Sequence, residues 1–335
     1  MNDRPWKNLR KLLLGSKLSG GECNRELAQA AMKGGVLRLA VERDARLGRW
    51  VQEELERLVF QDLLLERAGL EVESTLATLQ NELLLLKGSA TAHTLYEHSS
   101  YRERRDIDLL ATGESFDSAL GKLLKAGWMR LPDPEKPWWA KRAEGRYEET
   151  LFKEFGANRV EIDLHRRLSL YRHFKIDDGE LLTRSTRVDG IFFRIPATVD
   201  IALHTALHGA TTGFKVPLKS WFDLHLLTQG KDFDWDTLCV RSQEWGIAAV
   251  LWSALLVLSN LFATPMPRHV AQSLKPSPPA AGALTRLLAG RGEGPVPSGT
   301  LSDALRQTAK ALALGGGKPW DLAIEHARLR LDKVE

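Results

Sequence analysis

The stretch that most constrains this sequence is residues 83–110, because it places two carboxylates inside one predicted strand. Asp106 and Asp108 are two positions apart at the start of an apolar run that ends near Ala111. Side chains two positions apart in a strand point to the same face of the sheet. Two neighbouring carboxylates suit a divalent metal ion. Phosphate chemistry is therefore the first hypothesis.

A second apolar run, Leu83 to Leu86, precedes these carboxylates and ends at Lys87-Gly88-Ser89, where a helix is predicted to begin. Glycine lets the backbone approach a ligand closely, and amides at a helix N-terminus point towards anionic groups. A Gly-Ser pair alone is common and weakly specific. Followed by an Asp-x-Asp strand, it predicts that Gly88 and Ser89 bind the β- and γ-phosphates of a nucleotide, with Lys87 adding a charged contact.

A third carboxylate is expected from a later hairpin. Residues 147–155 and 159–164 read as two strands joined by the turn Gly156-Ala157-Asn158. The second strand carries Asp163, and Glu161 on the same face is a rival candidate.

Three carboxylates in this order are the set that two-metal phosphoryl or nucleotidyl transfer requires. Asp106 and Asp108 are predicted to hold two Mg²⁺ ions. Asp163 is predicted to share one metal ion and to deprotonate the attacking hydroxyl.

The regions on either side of this segment have helical periodicity. We predict a helical N-terminal arm at residues 1–79, an α/β domain at 80–196 and a helical C-terminal domain at 197–335. The fold class is α/β in the broad sense, or α+β, with a mixed sheet and flanking helices.

Composition limits the remaining classes of function. With 43% hydrophobic and 27% charged residues, the chain is typical of a globular protein rather than a disordered one. A net charge of +4 suits an anionic ligand such as a nucleotide but does not require nucleic acid, which we do not expect as a partner. No run of eighteen apolar residues or signal-peptide core is present, so we expect a cytoplasmic protein. Two distant cysteines, Cys23 and Cys239, indicate neither a disulfide framework nor a zinc knuckle.

The motifs LLLLKGSA, RERRDIDLLA and VEIDLHRRL together resemble the uncharacterised nucleotidyltransferases of the DNA polymerase β-like superfamily. The matching positions are Lys87-Gly88, then Arg102 or Arg105, then Asp106-Ile107-Asp108, and finally Asp163-Leu164-His165. A weaker likeness continues through His208, Trp221 and Asp223. The resemblance implies that Arg102 and Arg105 contact the nucleotide and that His165 and His208 could line the substrate site. The gap between Ser89 and Asp106 exceeds that of the smallest members, which leaves residues 97–104 without a role.

This resemblance implies a nucleotidyltransferase-type domain at residues 80–196 that binds magnesium and ATP. The implied reaction transfers a nucleoside monophosphate, most often AMP from ATP, to a hydroxyl of a small molecule, peptide or protein and releases pyrophosphate. Two alternatives remain open: a catalytically silent module that binds a nucleotide or a protein, and an antitoxin-like enzyme that modifies a partner toxin.

Other candidate groups have simpler interpretations beside the functional ones. His204 and His208 have the i, i+4 spacing of zinc ligands, but a structural or substrate-lining role is favoured because no third ligand is evident. The cluster that includes Arg104 could be a solvated face as readily as a triphosphate contact. Trp138 and Trp139 could stack on a base, although ordinary packing is favoured.

Overall fold

A computed structural model describes residues 4–131, 147–289 and 300–315. Trp138 and Trp139, and with them the choice between stacking and packing, lie outside these residues. The chain divides into two compact units. Of the described residues, the first unit contains 4–56, 100–103, 202–289 and 300–315, and the second contains 57–99, 104–131 and 147–201. The predicted boundaries after residues 79 and 196 stay predictions.

The second unit is built around a five-stranded sheet. The strands are β1 (Leu83–Leu85), β2 (Asp106–Ala111), β3 (Met129–Arg130), β4 (Glu148–Phe155) and β5 (Asn158–His165). Their order across the sheet is β1-β2-β5-β4-β3. Strands β2 and β5 are parallel, whereas the other neighbouring pairs are antiparallel. The mixed sheet with flanking helices confirms the predicted fold class. A strand, helix and strand in succession, as at β1, α5 and β2, predict a parallel βαβ unit, but β1 runs antiparallel to β2, so this expectation from the sequence is wrong.

Helices precede, separate and follow these strands in the sequence. In chain order they are α1 (Arg4–Leu13), α2 (Arg25–Gly34), α3 (Leu37–Arg43), α4 (Gln52–Thr75), α5 (Lys87–Thr94), α6 (Ser115–Lys125), α7 (Asp178–Arg184), α8 (Thr198–Thr211), α9 (Leu218–Gln229), α10 (Trp235–Glu244), α11 (Ala248–Phe262), α12 (Arg268–Leu274), α13 (Pro278–Leu288) and α14 (Thr300–Leu314). The division between the units falls within α4 and α8. None of the described helices is long and apolar enough to cross a bilayer.

The hairpin of β4 and β5 has the register that its turn dictates. Gly156 has a φ of 67°, which a two-residue hairpin loop accepts at its first position. The loop closes at the pair Phe155 and Asn158. Counting back from this pair along both strands sets Thr150 opposite Asp163.

Residues 100–103 leave the second unit and are part of the first. The Nε of Arg102 donates to both carboxylate oxygens of Asp223 on α9, at 2.9 and 2.8 Å, and both residues are buried. The Glu103 carboxylate accepts a hydrogen bond from the Arg38 amide, and the Glu103 carbonyl accepts one from Lys219 Nζ. Residues 100–103, the middle of the stretch 97–104 that had no role assigned from the sequence, are therefore fixed within the first unit by charged hydrogen bonds.

Candidate active site

Two of the three predicted carboxylates lie side by side at the centre of the sheet. The parallel register of β2 and β5 pairs Asp108 with Asp163, and because side chains alternate along a strand, both point to the same face. Asp108 is 2% exposed, whereas Asp163 is half-buried. A buried carboxylate needs a compensating charge or hydrogen bonds, since desolvation disfavours the charged form.

Lys87 supplies that compensating charge. Its Nζ lies 2.7 Å from Asp108 Oδ1 and 4.0 Å from Asp163 Oδ2. Burial alone would lower the pKa of Lys87, but the two carboxylates outweigh this effect and raise it well above its usual value. Likewise, burial would raise the pKa of Asp108, yet Lys87 and His165 hold it below its usual range. The ion pair therefore stays charged at neutral pH.

The backbone at Lys87 is itself unusual. Lys87 is the first residue of α5 and has a φ of 45°, in the left-handed region that few residues other than glycine adopt. No side chain caps this helix start through its N-cap residue, Leu86. The first amides of a helix have no partner within it and attract anions. This strained helix start lies directly beside the paired carboxylates.

His165, at the end of β5, completes the cluster. Its side chain is fully buried, with Nε2 3.4 Å from Asp108 Oδ1. Its Nδ1 lies 3.1 Å from Glu148 Oε2, close enough for an ion pair although the angle is not that of a hydrogen bond. The Tyr147 ring packs edge-on against the imidazole, with ring centroids 5.4 Å apart. Burial and then Glu148 raise the pKa of Tyr147, so its hydroxyl remains protonated.

Two hydroxyls fix the carboxylate-bearing strands in place. Thr150 Oγ1 donates to Asp163 Oδ1 at 2.7 Å across the β4–β5 pair. Ser89 Oγ accepts from the backbone amide of Asp108 at 3.3 Å. The first bond orients one carboxylate, and the second joins the first turn of α5 to β2.

The side chains present fit a divalent metal ion. Among the described residues, one oxygen each from Asp108 and Asp163 and one ring nitrogen of His165 lie within 4.8 Å of one another. Carboxylate oxygens with an imidazole nitrogen are a donor set that Mn²⁺ and similar ions accept, whereas Mg²⁺ prefers oxygen alone. This set differs by one member from the predicted one, which had Asp106 in the place of His165.

Asp106 lies at the start of β2, where its neighbour on β5 is Glu161. It is half-buried and lines a cavity next to Ser89. Glu161, the rival third carboxylate, forms an ion pair with Arg159, with 2.6 Å between Arg159 Nη2 and Glu161 Oε1. Of the two acids on this face of β5, Asp163 is the one that joins the cluster.

The basic residues that the sequence predicts to contact the nucleotide or substrate lie in different parts of the structure. Arg102 belongs to the first unit, where it pairs with Asp223. Arg104 Nη2 lies 3.3 Å from Asp62 Oδ1, and Arg105 is exposed just before β2. His208 is half-buried on α8 in the part that belongs to the first unit. Gly88 is half-buried in the first turn of α5, between Lys87 and Ser89.

Three residues around the cluster were missed by sequence reasoning: Tyr147, Glu148 and Thr150. The two-residue loop of the hairpin sets Glu148 opposite His165 and Thr150 opposite Asp163. The predicted three-residue turn, which would pair residue 155 with residue 159, shifts this register by one residue and therefore missed both contacts. Tyr147 directly precedes the strand, and no simple sequence signal marks its contact with His165.

Comparisons with known proteins identify the family of this chain. Neither the curated proteins nor the solved structures include a significant match to this chain. The model of a family described as uncharacterised nucleotidyltransferases matches residues 27–263, more than half of the chain. The match includes Lys87 and the paired strands with Asp108 and Asp163. The chain therefore belongs to this family of uncharacterised nucleotidyltransferases.

Proposed function

We propose that this protein is a metal-dependent nucleotidyltransferase that moves a nucleoside monophosphate, AMP from ATP, onto a hydroxyl of a small molecule, peptide or protein. The observation that carries the proposal is the pairing of Asp108 with Asp163 beside Lys87. Two carboxylates and a cation at a helix start are the parts that triphosphate chemistry needs, and the family match supports the same reaction class.

The triphosphate binds at the first turn of α5. The amides of Lys87, Gly88 and Ser89 are at the helix start, so they are free of intrahelical partners and attract phosphate oxygens. The Lys87 side chain can turn from the carboxylates towards the phosphates, so that its ammonium group adds a charged contact. Arg105, exposed directly before β2, is the predicted arginine that remains available for a further phosphate contact.

Asp108, Asp163 and His165 hold the divalent metal ion, with Asp106 as the proposed ligand of a second one. When bound, the metal ions neutralise phosphate charge and lower the pKa of an attacking hydroxyl. Magnesium is the expected ion, although the nitrogen of His165 makes manganese an effective substitute.

Asp163 accepts the proton of the acceptor hydroxyl. Its Oδ1 is fixed by Thr150, and its half-buried position leaves it accessible to an acceptor. The acceptor oxygen forms a bond to the α-phosphorus while the bond from that phosphorus to the bridging α,β-oxygen breaks. Pyrophosphate leaves with the electron pair of the broken bond.

The test is transfer of label from α-³²P-ATP in the presence of Mg²⁺ or Mn²⁺, with pyrophosphate release measured in parallel. The acceptors are the protein itself, a set of small hydroxyl compounds and a protein extract. We expect label transfer by the wild type and a loss of at least about a hundredfold in Asp108→Asn, because a charged ligand of the metal ion that would stabilise the transferred phosphoryl group is removed.

Asp232→Asn is the matched control, because Asp232 is an exposed aspartate of the first unit. It should retain wild-type transfer. If wild type and Asp108→Asn bind Mn²⁺ equally well and neither releases pyrophosphate with any acceptor, the enzyme proposal is refuted and the silent binding module is favoured.

A further inference from the structure

His165 lies between two carboxylates, one on each side of its ring. Its Nε2 is 3.4 Å from Oδ1 of Asp108, and its Nδ1 is 3.1 Å from Oε2 of Glu148. The imidazole side chain is fully buried. The cluster that fits a divalent metal ion consists of Asp108, Asp163 and His165. Glu148 lies outside this cluster, so its contact with His165 needs a separate explanation.

The register of the sheet places Glu148 on the face that carries the cluster. Glu148 is the direct partner of His165 in the β4–β5 pair. Side chains two positions apart on one strand share a face, so His165 lies on the same face as Asp163. Asp108 is on that face too, because the parallel register of β2 and β5 pairs it with Asp163. Glu148 therefore reaches the ring of His165 from the side away from Asp108.

A metal ion at the cluster would fix the position of the ring proton of His165. A ring nitrogen binds a metal ion through its lone pair, so the one proton of a neutral, metal-bound imidazole lies on the other nitrogen. Nε2 is the nitrogen that faces Asp108, which assigns the lone pair to Nε2 and the proton to Nδ1. A buried N–H group without an acceptor is destabilising. The N–H at Nδ1 therefore requires an acceptor.

Glu148 is in place to be that acceptor. Among the described residues, Nδ1 of His165 has no hydrogen-bond partner, because the carboxylate at 3.1 Å lies at an unsuitable angle. The Glu148 side chain is 28% exposed and so has room to turn into line with the N–H. The ring has less freedom, since it is fully buried and packs edge-on against Tyr147.

We propose that Glu148 is a positioning residue that holds the ring proton of His165 on Nδ1 and thereby directs Nε2 at the metal ion. A carboxylate that accepts from the distal N–H fixes the orientation of a ligating histidine and makes its other nitrogen more basic. Mn²⁺ accepts nitrogen ligands more readily than Mg²⁺, which prefers oxygen. The proposal rests on the metal-dependent function proposed above and adds to it a source of selectivity between metal ions.

The preference for Mn²⁺ over Mg²⁺ tests this role. Both affinities are measured by calorimetry on the full chain. We expect the wild type to bind Mn²⁺ more tightly, and Glu148→Ala to lose about tenfold or more of this preference, because the nitrogen ligand is no longer oriented. The ratio of the two affinities separates orientation from charge, since the loss of a nearby negative charge weakens the binding of both dications alike.

Two matched variants support this comparison. Glu148→Gln removes the charge but retains a carbonyl oxygen that can accept from Nδ1, so it should keep most of the preference for Mn²⁺. Glu149 is the next residue on β4 and points to the other face of the sheet, where its Oε2 lies 3.5 Å from Arg130 Nε. Glu149→Ala should therefore leave both affinities unchanged.

Electron spin-echo spectroscopy of bound Mn²⁺ gives an independent measurement. A nitrogen atom bound to Mn²⁺ produces ¹⁴N modulation of the echo. We expect this modulation in the wild type, its loss in His165→Gln and its weakening in Glu148→Ala. The measurement on the wild type also decides the case if Glu148→Ala does not fold.

The outcomes distinguish the role of Glu148 from the proposed function. If the wild type binds Mn²⁺ without ¹⁴N modulation, or if folded Glu148→Ala keeps the full preference for Mn²⁺, the role of Glu148 is refuted while the metal-dependent enzyme stands. Loss of the preference in Glu148→Gln to the same extent as in Glu148→Ala would also refute it. If the wild type binds neither ion, even with ATP present, the proposed function fails and the role of Glu148 fails with it.

Discussion

The buried pair of Arg102 and Asp223 gives a prediction that separates a structural role from a nucleotide contact. The guanidinium Nε is 2.8 to 2.9 Å from both carboxylate oxygens, and neither residue is more than 5% exposed. Asp223→Asn removes the negative charge with little change in shape. The guanidinium of Arg102 would then be buried without its counter-charge.

The expected loss of stability follows from the burial of the Arg102 charge without a partner. Removing one partner of a buried ion pair destabilises a protein by about 3–5 kcal/mol. For a unit of this size, such a loss lowers the melting temperature by roughly 6–20 °C. Differential scanning calorimetry measures the shift. Asp236→Asn is the matched control: Asp236 pairs with His269 at 3.3 Å, but its side chain is 89% exposed, so we expect no measurable change.

The double variant Arg102→Met/Asp223→Leu completes the cycle. An apolar pair of similar volume often matches or exceeds the stability of a buried ion pair, so we expect most of the lost stability to return. Its ATP affinity should equal that of the wild type if Arg102 serves the fold alone. The reasoning is refuted if Asp223→Asn melts within about 2 °C of the wild type. Restored stability with lost ATP binding would instead support the nucleotide contact that the sequence predicts for Arg102.

Three further predictions concern the cluster and one buried acid. Without nucleotide, Lys87→Met should bind Mn²⁺ more tightly than the wild type, and it should bind triphosphate about tenfold more weakly. The reason is that the same ammonium group neutralises Asp108 and attracts phosphate. Calorimetry with each ligand tests this, and a fall in both affinities would contradict it. Thr150→Val should lose about tenfold or more in Mn²⁺ affinity while Thr150→Ser retains it, because only the hydroxyl orients Asp163. Burial raises the pKa of Asp178 to about 6, so its contribution to stability is present below its unfolded pKa and is lost as the pH rises through 6. Urea unfolding should find Asp178→Asn about 1–3 kcal/mol more stable than the wild type at pH 7.5 and nearly equal to it at pH 4.

Local patterns were sufficient to predict the strands that carry the site. An apolar run located β2, and the turn at Gly156 located the hairpin of β4 and β5. The family resemblance supplied the order of motifs, from which the pairing of Asp108 with Asp163 follows once β2 and β5 are neighbours. The antiparallel direction of β1 could not be predicted from the sequence, because a short apolar run has the same pattern in either direction.

Long-range pairing explains why the basic residues before β2 were harder to assign. Arg102, Arg104 and Arg105 look equivalent in the sequence, since all three precede an acidic strand. The partner of Arg102 is Asp223, 121 residues further along the chain, and that of Arg104 is Asp62. A buried arginine must have a counter-charge, and which carboxylate provides it depends on the tertiary fold rather than on local spacing. Arg105, which is exposed, is therefore the member of the trio whose charge is best placed to serve a ligand.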